Sequence, residues 1–460
     1  MIWELRSIKE EAFEKGRLYI RKDYLLAIMQ KPKLSVIVPV YNEEKTIKKF
    51  LSNLVNTLNK AGLKYEIVVI DDNSADMSGK EILSFSKKRK EDIVYLHNEE
   101  NMGRGYSLAR AFNIGKYNYL IYFDADVLIN LETLNNFVKY LEKYDLVIAS
   151  KHLKGSIVSN SLIRTCLSYC YSVLAKALIN KEITDFQCGL KAIKKSSYVK
   201  IENFLEEKKW SFDTELIMYS GMNNFKIKEI PIKLDFLKRD SKVSVLRDSF
   251  FMGIGLIKLY IKKVTSINTI NYFNKKADVY GSKRYKQIQA FFKNEATELL
   301  NYAKPKKGED IIDIGCGDGF YSIKLKQAGA RVEGVDISEE MIHNLSSQGI
   351  IGHIEKMENF AIDKKFDKAI ISGSLEFSLT AFGAFKNIGK HLKKGGKIII
   401  LFPRKNIIGL AYFTYHLING ITIRLFSKKE LNTLLGEAGF INIKTKDINW
   451  LTTIAYADAK

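Results

Sequence analysis

Cysteine is scarce in this chain, with four in 460 residues: Cys166, Cys170, Cys188 and Cys316. None forms a C-x-x-C pair and no His/Cys set has zinc-ligand spacing, which argues against a disulfide framework or a structural zinc site. Reduced thiols in a cytosolic compartment are expected. Long apolar runs are also missing, since no stretch reaches the ~18 uncharged apolar residues of a membrane span. Phe250–Ile257 is stopped by Lys258, and the longest candidate, Ile407–Ile423, is interrupted by Tyr412, Thr414, His416 and Asn419. Contact with a membrane is expected, but not a crossing. Met1–Pro32 is charged and mixed, so no signal peptide is expected. There is no internal repeat and no low-complexity tract.

Acidic residues are in deficit, 52 against 73 Lys and Arg, which gives a net charge of +21 and a pI near 9.4. Anionic partners are favoured, among them nucleotides and an acidic membrane surface. Nucleic acid is not expected, because no aromatic-basic reading motif accompanies the charge. At 460 residues, 46% hydrophobic and 27% charged, the chain is globular and too long for one ordinary core.

The pattern is α/β. A charged helical arm over 1–33 precedes a continuous apolar run, Leu34–Val40, that reads as a buried strand. Glu43–Lys60 has helical spacing, with Ile47, Phe50, Leu51, Leu54, Val55 and Leu58 on one face. Further strands are expected at Tyr65–Ile70, Ile93–His97 and Tyr119–Phe123. A second alternating series starts at Ile311, with strands at Ile311–Gly315, Arg331–Val335, Lys368–Ser372 and Lys397–Phe402. Two doubly wound domains follow, over 34–264 and 306–460. A polar helical linker with the first helices of the second domain spans 265–305, and the composition shift near Thr265 marks the boundary.

In the first half, polar clusters stand at the C-terminal ends of strands: Pro39-Val40-Tyr41-Asn42-Glu43, Asp71-Asp72-Asn73-Ser74 and Asp124-Ala125-Asp126. Carboxylates at the first two strand ends can accept hydrogen bonds from a base and a ribose. The Asp-x-Asp pair suits a hard divalent cation that neutralises a diphosphate leaving group. Asn101–Gly105 supplies a turn where backbone meets a ligand, with Arg104 as an anion donor. Asp213 is the candidate base for a hydroxyl acceptor, or else a carboxylate at a helix N-terminus.

Residues 34–126 resemble family 2 glycosyltransferases of the GT-A fold. Thr184–Lys191 (TDFQCGLK) and Trp210–Glu215 (WSFDTE) extend the resemblance to the polyprenyl-phosphate sugar transferases, the dolichyl-phosphate glucosyltransferase type above all and the mannose synthase type next. The resemblance covers roughly residues 34–262. It implies hexose transfer with inversion from UDP-glucose or GDP-mannose to polyprenyl phosphate. Pro39, Tyr41, Glu43 and Asp72 would then hold the nucleoside, and Asp124 and Asp126 a Mg²⁺ or Mn²⁺ with the diphosphate. Arg239, Ser241 and Lys242 match the family's basic cluster near the acceptor phosphate. Leu128 stands where some members carry a polar residue two positions beyond the Asp-x-Asp pair. Because an acceptor phosphate is already anionic, no base is required.

In the second half, Asp313-Ile314-Gly315-Cys316-Gly317-Asp318-Gly319 sits between a strand and a helix, where glycines admit a ligand close to the backbone. Asp336, at the end of the next strand, is placed to bind ribose hydroxyls. Residues 270–460 thus resemble class I S-adenosylmethionine-dependent methyltransferases, a Rossmann-like fold, which makes Asp313, Gly315, Gly317 and Asp336 the cofactor residues. Two positions depart from that family. Lys356, flanked by Glu355 and Glu358, stands near the usual adenine-binding acid, and Phe377 stands where a His is frequent. Ile407–Ile423 falls where such enzymes often place a substrate lid.

The combined expectation is a cytoplasmic bifunctional enzyme, peripheral on the inner face of a membrane. One half would glycosylate polyprenyl phosphate and the other would methylate a glycan or lipid of the same pathway. Leu162–Ile179 and Phe250–Ile261, with Arg164, Lys258, Lys262 and Lys263, would meet the lipid. The alternative is transfer to a saccharide or protein hydroxyl, beside a C-terminal domain that only binds S-adenosylmethionine.

Overall fold

The computed structural model describes residues 32–87, 92–158, 162–236, 245–287 and 289–460. All but the last two residues of the expected N-terminal arm, and the whole Arg239–Ser241–Lys242 cluster, lie outside the described residues. The first half runs β1 (Lys33–Val40), α1 (Ile47–Ala61), β2 (Lys64–Asp71), α2 (Ser78–Lys87), β3 (Ile93–His97), α3 (Arg104–Ile114) and β4 (Tyr119–Phe123). It continues with β5 (Val127–Leu128), α4 (Leu131–Leu141), β6 (Leu146–Ser150), β7 (Ile157–Val158) and α5 (Leu162–Leu178). Then come β8 (Leu190–Lys194), α6 (Lys195–Ile201), α7 (Phe212–Met222), β9 (Ile227–Pro231) and β10 (Lys233–Phe236).

Seven of these strands form one sheet in the order β3-β2-β1-β4-β8-β6-β9. β8 runs antiparallel to both of its neighbours, and the other pairs are parallel. Apolar residues bury both faces, as the continuous run in β1 requires: Leu34, Val36 and Val38 face α1, and Ile37 faces the opposite layer. The six apolar positions expected on one face of α1 are all buried. The order reverses between β1 and β4, so the crevice beyond their C-terminal ends is where a ligand belongs. β10 pairs antiparallel with β5, placing Phe236 opposite Val127.

A single helix, α8 (Val245–Gln287), links the halves over 43 residues, about 65 Å at 1.5 Å per residue. The boundary expected near Thr265 falls inside it; a shift to polar composition there marks a change of packing partner, not a break in the backbone. Leu256 and Leu259 are buried in the first domain's core, whereas Ser266 and Thr269 already line the second domain's cavity.

The second half comprises α9 (Gln289–Ala303), β11 (Asp310–Ile314), α10 (Phe320–Gln327), β12 (Arg331–Asp336), α11 (Glu339–Ser347), β13 (Ile351–Ile354) and β14 (Phe366–Ser372). It ends with α12 (Ala381–His391), β15 (Leu392–Pro403), α13 (Ile407–Ile418), α14 (Lys428–Glu437), β16 (Phe440–Asp447) and β17 (Thr452–Ala459). Its seven strands are ordered β13-β12-β11-β14-β15-β17-β16, and only β17 is antiparallel to its neighbours. Here the order reverses between β11 and β14, so the same rule places a second ligand crevice there.

The halves also meet directly. Asn203 Nδ2 donates to the Glu358 carbonyl at 2.9 Å, Thr380 Oγ1 donates to the Asn203 carbonyl at 3.3 Å, and Lys390 pairs with Glu202 at 2.6 Å. Among the described residues no helix is long and apolar enough to cross a membrane.

Candidate active sites

In the first crevice, β2 delivers two adjacent aspartates with different tasks. Asp71 Oδ1 accepts from the Ser74 amide at 2.9 Å and from the Ser74 hydroxyl at 2.5 Å, closing the turn after the strand. Asp72 Oδ1 accepts from Asn98 Nδ2 at 2.7 Å and from the Met102 amide at 3.0 Å, and Oδ2 from the Gly103 amide at 2.8 Å. Expected at the nucleoside, Asp72 is buried and anchors the loop that leads into α3. Of the other expected nucleoside residues, Pro39 lies in β1, Glu43 is buried and accepts from Thr46 Oγ1 at 2.7 Å, and Tyr41 is 43% exposed.

Arg104 stands at the centre of the crevice, at the first position of α3. Its Nε donates to Asp124 Oδ1 at 2.8 Å and its Nη1 to Asp213 Oδ2 at 2.6 Å. Nη2 is buried and has no hydrogen-bond partner among the described residues. A guanidinium with one edge unmatched in a buried site suits an anionic oxygen of a ligand.

Asp213 cannot easily serve as the expected base. Burial alone would raise its carboxyl, but the Arg104 guanidinium and the Lys191 ammonium outweigh burial and hold it down at about 2. Lys191 is fully buried, 2.6 Å from Asp213 Oδ1 and 2.6 Å from the Cys188 carbonyl, and the Tyr122 hydroxyl donates to the same carboxyl oxygen. Asp213 lies in the first turn of α7, so the alternative reading of a helix N-terminal carboxylate describes its position.

Asp124 and Asp126 follow β4 directly. Among the described residues no group of three or more His, Cys, Asp or Glu could hold a metal ion. Two carboxylates nevertheless fit a Mg²⁺ that keeps waters and takes its remaining ligands from a substrate diphosphate, the usual form of such sites. The β10 strand ends at Phe236, opposite Val127, one residue beyond Asp126.

Glu215, two residues beyond Asp213, is buried, and burial pushes its carboxyl up to about 7. It accepts from the Glu206 and Glu207 amides at 2.9 and 2.8 Å and faces Lys262 of α8 at 3.4 Å. Lys262 therefore points into the protein at this acid and at Glu206, not simply toward lipid headgroups as expected.

In the second crevice, Gly315 has φ +67° and would drive a Cβ to 2.3 Å from that of Ser374. This is where β11 and β14 diverge, and glycine keeps the gap open to a ligand. The Gly317 amide donates to Asp336 Oδ2 at 2.9 Å and the Ser338 amide to Oδ1 at 2.9 Å. Asp313 is buried beneath the loop, accepts from Ser322 Oγ at 2.6 Å, and is raised to about 7, chiefly by burial. All four expected cofactor residues line one cavity of about 630 Å³. Glu355, Lys356 and Glu358 line it too. Glu358 turns to the Leu379 and Thr380 amides, at 2.7 and 3.2 Å, and so supports the start of α12.

The rest of the cavity wall is aromatic. Phe377 packs edge-on against Phe273 of α8 and His416 of α13, with centroids 5.1 and 5.2 Å apart. His416 is also flanked by Tyr412 and Tyr415, and the Tyr412 hydroxyl donates to Glu376 at 3.2 Å. An imidazole, that of His416, thus stands beside position 377 from α13.

Lys191, Tyr122 and Gly189 were not singled out from sequence, although Lys191 and Gly189 lie within a quoted motif. The signal available was Lys191 set among Leu190, Ala192 and Ile193 of β8, since a lysine is rarely buried unless paired. Tyr272, Phe273 and Glu376 carried no such signal.

Residues 35–201 match the family model described as glycosyl transferase family 2, and residues 282–445 match a methyltransferase domain model. Glycosyltransferase AglD of Haloferax volcanii is 27% identical over 231 residues, which are 49% of this chain and 37% of that protein. The dolichyl-phosphate beta-glucosyltransferase of Dictyostelium discoideum is 28% identical over 248 residues, covering 51% of this chain and 76% of its own length. Magnesium protoporphyrin IX methyltransferase from Synechocystis PCC 6803 shares 20% identity, covering 43% of this chain and all of that one, with a TM-score of 0.35. The chain spans little more than a third of AglD and about three quarters of the Dictyostelium enzyme. With two sheets, two crevices and two family matches in the same order, the chain joins a family 2 glycosyltransferase domain of the GT-A fold to a class I S-adenosylmethionine-dependent methyltransferase domain.

Proposed function

We propose that the first domain transfers a hexose from UDP-glucose or GDP-mannose to a polyprenyl phosphate, and that the second methylates a glycan or lipid component of the same pathway. The observation that carries the first part is the state of Asp213. Clamped between Arg104 and Lys191 with its carboxyl near 2, it is a poor proton acceptor at neutral pH. An acceptor that arrives already ionised has no need of one. The names of the dolichyl-phosphate glucosyltransferase relatives support the same acceptor class.

The protein's share of the reaction is alignment and charge. Arg104 Nη2 would meet a diphosphate oxygen, while Nε and Nη1 keep Asp124 and Asp213 in place. Asp124 and Asp126 would hold a Mg²⁺ or Mn²⁺, whose charge stabilises the departing diphosphate. Arg239, Ser241 and Lys242 would take the acceptor phosphate. In the second domain Asp336 would bind the ribose hydroxyls and Asp313 the charged methionyl portion of S-adenosylmethionine, with reaction by proximity.

The test incubates the protein with polyprenyl phosphate, Mg²⁺, S-adenosylmethionine and a panel of nucleotide sugars, and follows the lipids by mass spectrometry. A mass increase of one hexose supports the reading. Transfer only to saccharide or protein hydroxyls, with the lipid phosphate inert, would replace it with the hydroxyl-acceptor reading. S-adenosylmethionine binding without methylation of any lipid-linked sugar would reduce the second domain to a binding module.

A further inference from the structure

Helix α13 divides its side chains between two environments. Tyr412 and His416 wall the methyl-transfer cavity, while Ile407 and Ile418 are 88% and 82% exposed and Leu410 and Leu417 are 58% and 51% exposed. Large apolar side chains clustered on the outside of one short helix mark an interaction surface. The helix has 12 residues, about 18 Å of length, which is too short for the ~30 Å core of a bilayer but suited to lying in its interface.

Charge identifies the occupant. From Phe377 to Lys429 the chain contains no Asp or Glu, and α13 is flanked by Arg404 and Lys405 on one side and by Arg424, Lys428 and Lys429 on the other. Asp447 pairs with Arg404 at 3.2 Å and Lys428 at 2.8 Å, and Glu430 pairs with Arg424 at 2.8 Å. Five cations facing two carboxylates leave an excess of three positive charges. The apolar surface also continues beyond the helix. Asn268 Nδ2 donates to the Gly420 carbonyl at 3.1 Å, and on the same stretch of α8 Ile267, Ile261 and Ile257 are exposed.

We propose that α13 is an interfacial lid: its outer face docks on an anionic lipid surface while its inner face walls the methyl-transfer cavity, which sets the mouth of that cavity at the membrane. This rests on the peripheral-membrane part of the reading above and adds the methyltransferase domain to the surface that meets lipid. Its methyl acceptor would accordingly be presented from the lipid surface.

The test uses the full chain and vesicles of phosphatidylglycerol and phosphatidylcholine that contain no polyprenyl phosphate, so a failed hexose-transfer assay does not affect it. On adding vesicles, amide exchange across residues 407–418 should slow. Ile407→Asp with Ile418→Asp should lower the vesicle partition coefficient about tenfold or more, given two large apolar side chains kept from burial. S-adenosylmethionine binding, measured by calorimetry, should be unchanged and serves as the folding control. The milder Ile407→Ser with Ile418→Ser should give a smaller loss in the same direction. Unchanged exchange at 407–418, or variants that partition like the unaltered chain, would overturn the proposal. Equal partition onto purely phosphatidylcholine vesicles would overturn the anionic choice. Concentration-dependent self-association without lipid, abolished by the Asp pair, would instead assign the face to a second copy of the chain.

Discussion

Gly189 lies so close to Asp124 that a Cβ added to it would sit 1.7 Å from Asp124 Oδ2. The absence of a side chain in the Cys188-Gly189-Leu190 turn is therefore part of how the Asp-x-Asp pair is positioned. Gly189→Ala should push the carboxylate aside by about 1 Å or more, and displacement of that size commonly costs about 10²-fold in rate. Steady-state hexose transfer should show the loss mainly in kcat. An unaltered kcat would mean that Asp124 is free to move without consequence.

Asp126→Ala should lower sugar transfer by about 10²-fold or more, the usual scale for removing one electrostatic stabiliser of a leaving group. S-adenosylmethionine affinity should not change, because the second crevice belongs to a different sheet. Parallel assays of the two activities on one preparation decide it. Undiminished transfer would remove the diphosphate role.

Asp213→Asn should destabilise the protein by about 3–5 kcal/mol, because it leaves the buried Lys191 ammonium without a carboxylate. Adding Lys191→Met should recover much of that loss, since the stranded charge is then gone. Urea denaturation of the two single variants and the double variant closes the cycle. If the double variant is as unstable as the sum of the singles, the cost lies in packing and not in the ion pair.

Asp313 gives a pH dependence whose sign is fixed. Burial raises its carboxyl from 3.8 to about 7 in the cofactor-free protein. The native state then binds a proton that the unfolded chain has released, so stability falls as pH rises from about 4 to about 7 and is flat beyond. A cationic ligand favours the ionised form, so S-adenosylmethionine should bind more tightly with rising pH, by up to about tenfold per unit, and level off above about 7. Calorimetric titrations between pH 5.5 and 8.5 measure the slope, which Asp313→Asn should remove.

Much of the architecture was legible because the strands are buried on both faces and read as unbroken apolar runs. The β1 and β11 strands lie within one residue of their expected limits. The placement of Asp124, Asp126 and Asp336 at strand ends was legible for a related reason, since carboxylates that follow such runs fall there. What could not be read was the use of side chains brought together across the fold. Sequence alone offers Asp213 as a base, whereas in the fold Lys191, 22 residues away, and Arg104, 109 residues away, share its oxygens. Sequence alone offers Lys262 as a headgroup contact, whereas in the fold it faces Glu215. Polar composition past Thr265 suggested a boundary, yet a helix can pass from one core to another while exposing most of its sides.

That helix has a consequence for how such a chain can evolve. The interval between the two matched regions, residues 202–281, holds α7 as well as most of α8. A recombination breakpoint early in α8 would deprive the upstream half of Leu256 and Leu259, and one late in it would deprive the downstream half of Ser266, Thr269, Tyr272 and Phe273. Neither half can be exchanged for a homologue without a partner helix already fitted to both cores. A substitution along α8 can therefore disturb the support of both crevices at once.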